Sequence, residues 1–210
     1  MWFSRWLRCW NPATRPFTPG ARGKLLVTGR PTEGKIMTES QPAPYYEGPP
    51  RSEVEFLEAA EIPTVVQKFK DHPLAAMPQA IDEAASALFP ALEAEGLRPA
   101  GPVFVLYERM PDVNATFEVG VPVDRPLTAT VPTPSGAWLE GSVLPGGAIA
   151  TVSHVGSYDR LGEAWGAFLE TVESAHRKAG LPFWEIYMTE PTPEADPESM
   201  RTELVIVLTD

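Results

Sequence analysis

The chain has 210 residues, one cysteine, three histidines and a formal net charge of −11. With Cys9 as its sole thiol it can form neither an intrachain disulfide nor a cysteine-based zinc site, and His72, His154 and His176 lie too far apart for a metal-binding helix, so no metal or other cofactor is expected. Charge is distributed unevenly: residues 1–36 hold seven Lys or Arg and one acid, whereas residues 37–210 hold ten basic and 27 acidic side chains, a surplus that repels nucleic-acid phosphates and speaks against direct nucleic-acid binding.

The chain opens with MWFSRWLRCW, where Trp2, Phe3, Trp6, Leu7 and Trp10 surround Arg5 and Arg8. Those arginines break any apolar run long enough for a membrane span or a signal peptide. Residues 1–50, rich in Pro and Gly, read as a disordered basic extension, and residues 51–210 as one domain. The composition fits a reducing, cytoplasmic setting.

From residue 53 the pattern runs strand, strand, helix, strand, strand, and then repeats. The first half, about 53–123, predicts strands over 53–60 and 64–69, a helix over 78–95, and strands over 103–109 and 116–123. Pro63 is expected to separate the first two strands. The second half, about 136–208, predicts strands over 137–144 and 148–154, a helix over 158–178, and strands over 183–189 and 201–208, with Pro145-Gly146-Gly147 as a hairpin turn. Ile81, Ala85, Leu88 and Leu92 make one apolar stripe on the first helix, and Leu161, Trp165, Phe168 and Val172 make another on the second. Gly96 and Gly180 are expected to stop the two helices. These elements give an α+β fold of two pseudo-symmetric half-domains, each a β-hairpin, a helix and two strands. Together they form a curved, mainly antiparallel sheet with helices on one face and a ligand cleft on the other.

Three stretches carry a family likeness: Phe117-Glu118-Val119-Gly120-Val121-Pro122-Val123, then Val152-Ser153-His154-Val155-Gly156-Ser157-Tyr158-Asp159 leading into Leu161 and Trp165, then Phe183-Trp184-Glu185-Ile186-Tyr187. In this order and spacing they resemble the GyrI-like effector-binding domains of AraC-type and MerR-type transcription regulators, over about residues 53–208. The resemblance implies a stand-alone form, because no amphipathic helix pair in the preceding 50 residues would make a helix-turn-helix. It also implies a small-molecule ligand, cationic or polycyclic and aromatic, and in some relatives hydrolysis of cyclopropane-bearing compounds. A protein partner is left open.

Alternation along 183–189 puts Phe183, Glu185 and Tyr187 on one face and Trp184, Ile186 and Met188 on the other. A carboxylate between aromatics on an apolar strand costs free energy unless a cation or hydrogen bonds accompany it. The resemblance makes Glu185 the pocket glutamate; the alternative is an edge strand with Glu185 in water. Tyr107 and Tyr187 are expected to wall the cleft, with ordinary sheet packing as their alternative. Tyr158 reads as reaching the cleft mouth, Trp165 as core with one exposed edge, and His154 as a turn residue near the pocket. If the protein is an enzyme, Glu185 is the general base or acid and Tyr187 or Tyr107 the proton donor. Glu118 and Glu203 read as solvated, and the Pro- and acid-rich stretch 190–198 as a solvated lip of the cleft.

Overall fold

The computed structural model describes residues 43–133, 135–189 and 196–209. The basic segment 1–36 and most of the 190–198 lip lie outside them. Nine strands form one antiparallel sheet: β1 (Glu55–Ala59), β2 (Ile62–Pro73), β3 (Phe104–Tyr107), β4 (Asn114–Pro122), β5 (Val131–Pro132), β6 (Trp138–Leu144), β7 (Gly147–Val155), β8 (Ala179–Tyr187) and β9 (Arg201–Leu208). Their order is β1-β7-β9-β8-β3-β4-β2-β6-β5. Two α-helices among the described residues, α1 (Met77–Ala94) and α2 (Leu161–Ser174), complete the α+β fold. No helix among the described residues is long and apolar enough to cross a membrane.

The halves meet at a seam of four rungs between β3 and β8, from Phe104↔Ile186 to Tyr107↔Phe183. Pairing at the outer strands departs from the expected hairpins. β1 pairs with β7 and β2 with β6, so each half gives its first strand to the other half's second strand. The register is continuous from Glu55↔Thr151 through Ala59↔Gly147 and Ile62↔Leu144 to Val66↔Glu140. Pro145-Gly146-Gly147 is therefore a bend facing the Ala60-Glu61 bend. A side chain on Gly146 would stand 2.8 Å from the Glu61 amide nitrogen, so the two backbones approach too closely for a Cβ. Pro63 sits within β2, opposite Val143.

Helix α1 starts with Pro78 in its first turn, where a missing N–H costs nothing. It buries Met77, Ala80, Ala84, Ala85, Leu88 and Leu92, while Ile81 is half-buried. Gly96, at φ 61°, supplies the left-handed residue after it. Helix α2 ends earlier than its pattern suggests: His176 takes the left-handed position at φ 58°, and the amide of Arg177 bonds back to the Val172 carbonyl. Gly180 belongs to β8 instead. Only Phe168 and Val172 are fully buried on α2, and Leu161 and Trp165 remain half-buried.

Both faces of the sheet are covered. The helix face holds Val105, Val119, Val121, Leu204 and Ile206. The other holds Phe104, Leu106, Trp184, Ile186 and Val205, and it buries Tyr46 from the 43–50 stretch that composition assigns to the extension. Glu118 and Glu203 face this second core, so they are buried rather than solvated. Each is satisfied in the same way. Glu118 accepts from Ser142 Oγ (2.8 Å) and pairs with Lys68 (3.2 Å), whereas Glu203 accepts from Ser153 Oγ (2.5 Å), Arg201 Nε (2.6 Å) and Arg51 Nη1 (3.4 Å). Removing the hub carboxylate takes the shared buried counter-charge from two largely buried guanidinium groups, leaving Arg51 with Glu55 and Arg201 with backbone carbonyls alone. Glu203→Ala is expected to lower unfolding free energy by about 3 kcal/mol in urea titration, a cost that Glu58→Ala, on an exposed position of β1, does not incur.

Candidate functional site

On the helix face, one row of side chains crosses the centre of the sheet through Val152, Leu204, Glu185, Val105 and Val119. Glu185 thus replaces an aliphatic residue at the seam, and it is 6% exposed. Three neutral donors converge on it. Trp165 Nε1 from α2 donates to Oε1 (2.7 Å), and Tyr187 OH donates to Oε2 (2.8 Å), with Tyr107 OH at 3.5 Å from the same oxygen. Among the described residues no Lys or Arg forms an ion pair with this carboxylate.

The rings around it lock one another. Phe183 stacks on Tyr107 (4.7 Å between centroids, 10° between planes) and meets Trp165 edge-on (4.9 Å). Tyr158 meets Tyr187 edge-on (5.5 Å), and its hydroxyl donates to the Thr189 carbonyl (3.3 Å). Such offset and edge contacts fix ring orientation as well as burying area. The residues named from the sequence are therefore gathered together. His154 stands at the rim: it lies in β7, and its Nε2 is 3.1 Å from the Ser157 carbonyl. The cluster is on the helix face, with α2 as its roof, and not on the opposite face where the pattern places the cleft. Alternation along β8 sends Glu185 to the side that carries the helices, and the other side is filled by Trp184 and Ile186.

Beside the cluster, α2 stands off the sheet and leaves a groove of about 690 Å³ bordered by Val54, Val152, His154, Ala164, Phe168 and Leu204. Its floor residue Leu204 is the cross-strand neighbour of Glu185. Ala164, Ala167 and Thr171 went unnoticed in the sequence because small residues on a helix read as filler. Here their size is what leaves the space.

Burial pushes the Glu185 carboxyl above the ordinary glutamate value, opposed by the hydrogen bonds from Trp165, Tyr187 and Tyr107 and by the nearby His154. Burial and the adjacent carboxylate push the Tyr107 and Tyr187 phenols well up, and burial does the same for Tyr158, so these hydroxyls stay protonated donors. An unfolded glutamate ionises near about pH 4.3, whereas the folded one keeps its proton to higher pH. The Glu185 contribution to stability therefore falls as pH rises from the unfolded value through the folded one and is flat above it. In paired denaturant titrations from pH 4 to 8, the unfolding free energy of wild type should decline relative to that of Glu185→Gln. A constant difference would mean that the folded protein does not raise the carboxyl above its unfolded value.

Residues 52–208 match the model of the GyrI-like small molecule binding domain. No curated protein matches the chain. Among solved structures, the EcmrR C-terminal domain superposes with a TM-score of 0.62 at 18% identity, covering 75% of this chain and 98% of that one. EcmrR in its DNA complex gives 0.58 at 19% identity over 74% of this chain, which spans only 57% of that protein. SAV2435 bound to tetraphenylphosphonium gives 0.50 at 13% identity, covering 75% and 94% of the two chains. At these identities the shared property is the fold.

Proposed function

Because the chain belongs to the GyrI-like family of small-molecule-binding domains over residues 52–208, we propose that it binds an organic cation carrying aromatic bulk, with the charge held against Glu185. One observation carries this reading: a buried carboxyl with three neutral donors, His154 nearby, and no Lys or Arg ion pair among the described residues. Neutral donors soften the cost of ionisation without cancelling the charge. A cation entering the cluster would supply the missing counter-charge, and in a site of low polarity that attraction is larger than in water.

The surroundings suit the same ligand. Tyr107, Tyr158, Trp165, Phe183 and Tyr187 offer ring faces and edges to a cation and to flat apolar groups. The groove under α2, at about 690 Å³, is of the size that holds drug-like molecules. The acidic surplus of residues 37–210 raises the local concentration of cations. Trp165 occupies Oε1 through its indole N–H, so a ligand reaching that oxygen must exchange with the indole. Helix α2, with two fully buried residues, is the less tightly seated of the two helices. The tetraphenylphosphonium carried by SAV2435 is a permanent cation wrapped in four phenyl rings, which makes it a fitting probe, although the argument for a cation rests on the residues of this chain.

Calorimetric titration with tetraphenylphosphonium tests the reading. Glu185→Gln keeps the shape and removes the charge, and it should weaken binding by on the order of 2 kcal/mol, or about thirtyfold. A cation stabilises the ionised carboxyl, so binding lowers its pKa and releases a proton. Affinity should therefore rise with pH through the raised Glu185 value and level off above it, and the Gln variant should lose that slope. Triphenylphosphine oxide, neutral and similarly shaped, should show neither effect. Equal affinity of wild type and Glu185→Gln for the cation would sink the assignment.

A further inference from the structure

The back of the seam, on the face opposite Glu185, is crossed by residues 44–51, which precede the family-matched residues 52–208. The segment is fastened at both ends and in the middle. At Arg51 the amide donates to Ser153 Oγ (2.7 Å) and the carbonyl accepts from the Ser153 amide (3.1 Å), which ties the chain to β7. The Arg51 guanidinium bonds the Glu203 carboxylate of β9 and the Tyr45 carbonyl, and Arg201 of β9 donates to the carbonyls of Gly48 (2.7 Å) and Pro49 (3.4 Å). Further along, Tyr45 OH accepts from Trp184 Nε1 of β8 (2.8 Å). Tyr46, 1% exposed, ends in the second core, its hydroxyl occupying space beside Gly101 just ahead of β3. A Cβ at Gly101 would lie 2.5 Å from that oxygen.

The path thus runs from β7 across β9 and β8 to the entry of β3, from one half-domain to the other. Trp184 and Glu185 are consecutive on β8, and they form the adjacent seam rungs Leu106↔Trp184 and Val105↔Glu185. A seam of four rungs holds the Glu185 backbone only as firmly as both its faces are packed. We propose that residues 44–51 act as a clip across the β3–β8 seam and that Tyr45 and Tyr46 are positioning residues for the Glu185 site. The structural part of this inference stands on contacts alone, and only its effect on affinity rests on the cation-binding reading.

Two substitutions in the full chain test it. Tyr45→Phe removes one hydroxyl and keeps the ring, and Tyr46→Ala removes the anchor. Leu57→Ala serves as the control, since Leu57 packs on the same face in β1, outside both the seam and the β2–β4 ladder. Amide hydrogen exchange is followed over residues 104–107 and 183–187 and compared with the β2–β4 ladder. Both clip variants should speed seam exchange by about tenfold relative to that ladder, whereas the control should leave the ratio as in wild type. Tyr46→Ala should also weaken tetraphenylphosphonium binding by about threefold or more, with the control unchanged. Uniform acceleration across the sheet, or an unchanged seam, overturns the clip, and Tyr45→Phe decides this even where Tyr46→Ala fails to fold. Faster seam exchange with unchanged affinity overturns the positioning role. A wild type that does not bind the cation removes the ligand reading and leaves the exchange ratio to judge the clip.

Discussion

A single carboxylate, placed at the one rung where an aliphatic residue would pack best, organises much of this molecule. Glu185 lies between Val105 and Leu204 in the central row of the sheet, and burial there disfavours its charged form. The surrounding structure answers that cost with indole and phenol donors instead of a guanidinium or an ammonium group. Arg or Lys at the same place would make a closed ion pair with little to offer a ligand. Neutral donors hold the carboxyl in position and leave its charge unmatched by any ion pair among the described residues, which is the condition a cation-binding site needs.

The rest of the architecture reads as a division of labour between two halves built on one pattern. The back face treats both similarly: Glu118 and Glu203 occupy corresponding strands, each with a serine and a basic partner, although Ser153 comes from the adjacent strand β7 and Ser142 from β6, one strand further away. The front face does not. Val105 in the first half corresponds to Glu185 in the second, and α1 buries a full stripe whereas α2 buries two residues. Phe69 and Phe117 stack on each other near the seam in the first half without a carboxylate among them. The first half is thus covered by a fully packed helix, whereas the second carries the buried carboxylate under a helix that buries two residues.

Local pattern made the elements and the front-face residues legible. Alternation along 183–187 groups Phe183, Glu185 and Tyr187, and the helical spacing of Leu161, Trp165 and Phe168 turns the indole toward the sheet, because both periodicities depend on backbone geometry alone. Partner choice between strands is not local. The exchange of β1 and β6 between halves leaves no mark in either strand, and a Pro-Gly-Gly bend has the composition of a hairpin turn. The burial of Glu118 and Glu203 was missed for a related reason. Both alternate to the face away from the helices, but that face is itself covered, in part by Tyr45 and Tyr46, which sit in a stretch whose Pro and Gly content suggests an extension. Two adjacent tyrosines ahead of Gly48-Pro49-Pro50 were the available signal, and composition outweighed them.

The two faces are coupled by their shared strands. On β8 the sequence Phe183-Trp184-Glu185-Ile186-Tyr187 alternates between the ring cluster in front and the second core behind, so the backbone that aims Glu185 is also the backbone that Trp184 and Ile186 anchor. On the proposed cation-binding reading, a front-face rearrangement that frees the carboxyl from Trp165 must leave that strand in place, or the site would lose its geometry. A firmly held back face and a loosely seated α2 meet both requirements. On that reading the helix is the element that yields, while the dense packing behind Glu185 holds the carboxyl in place.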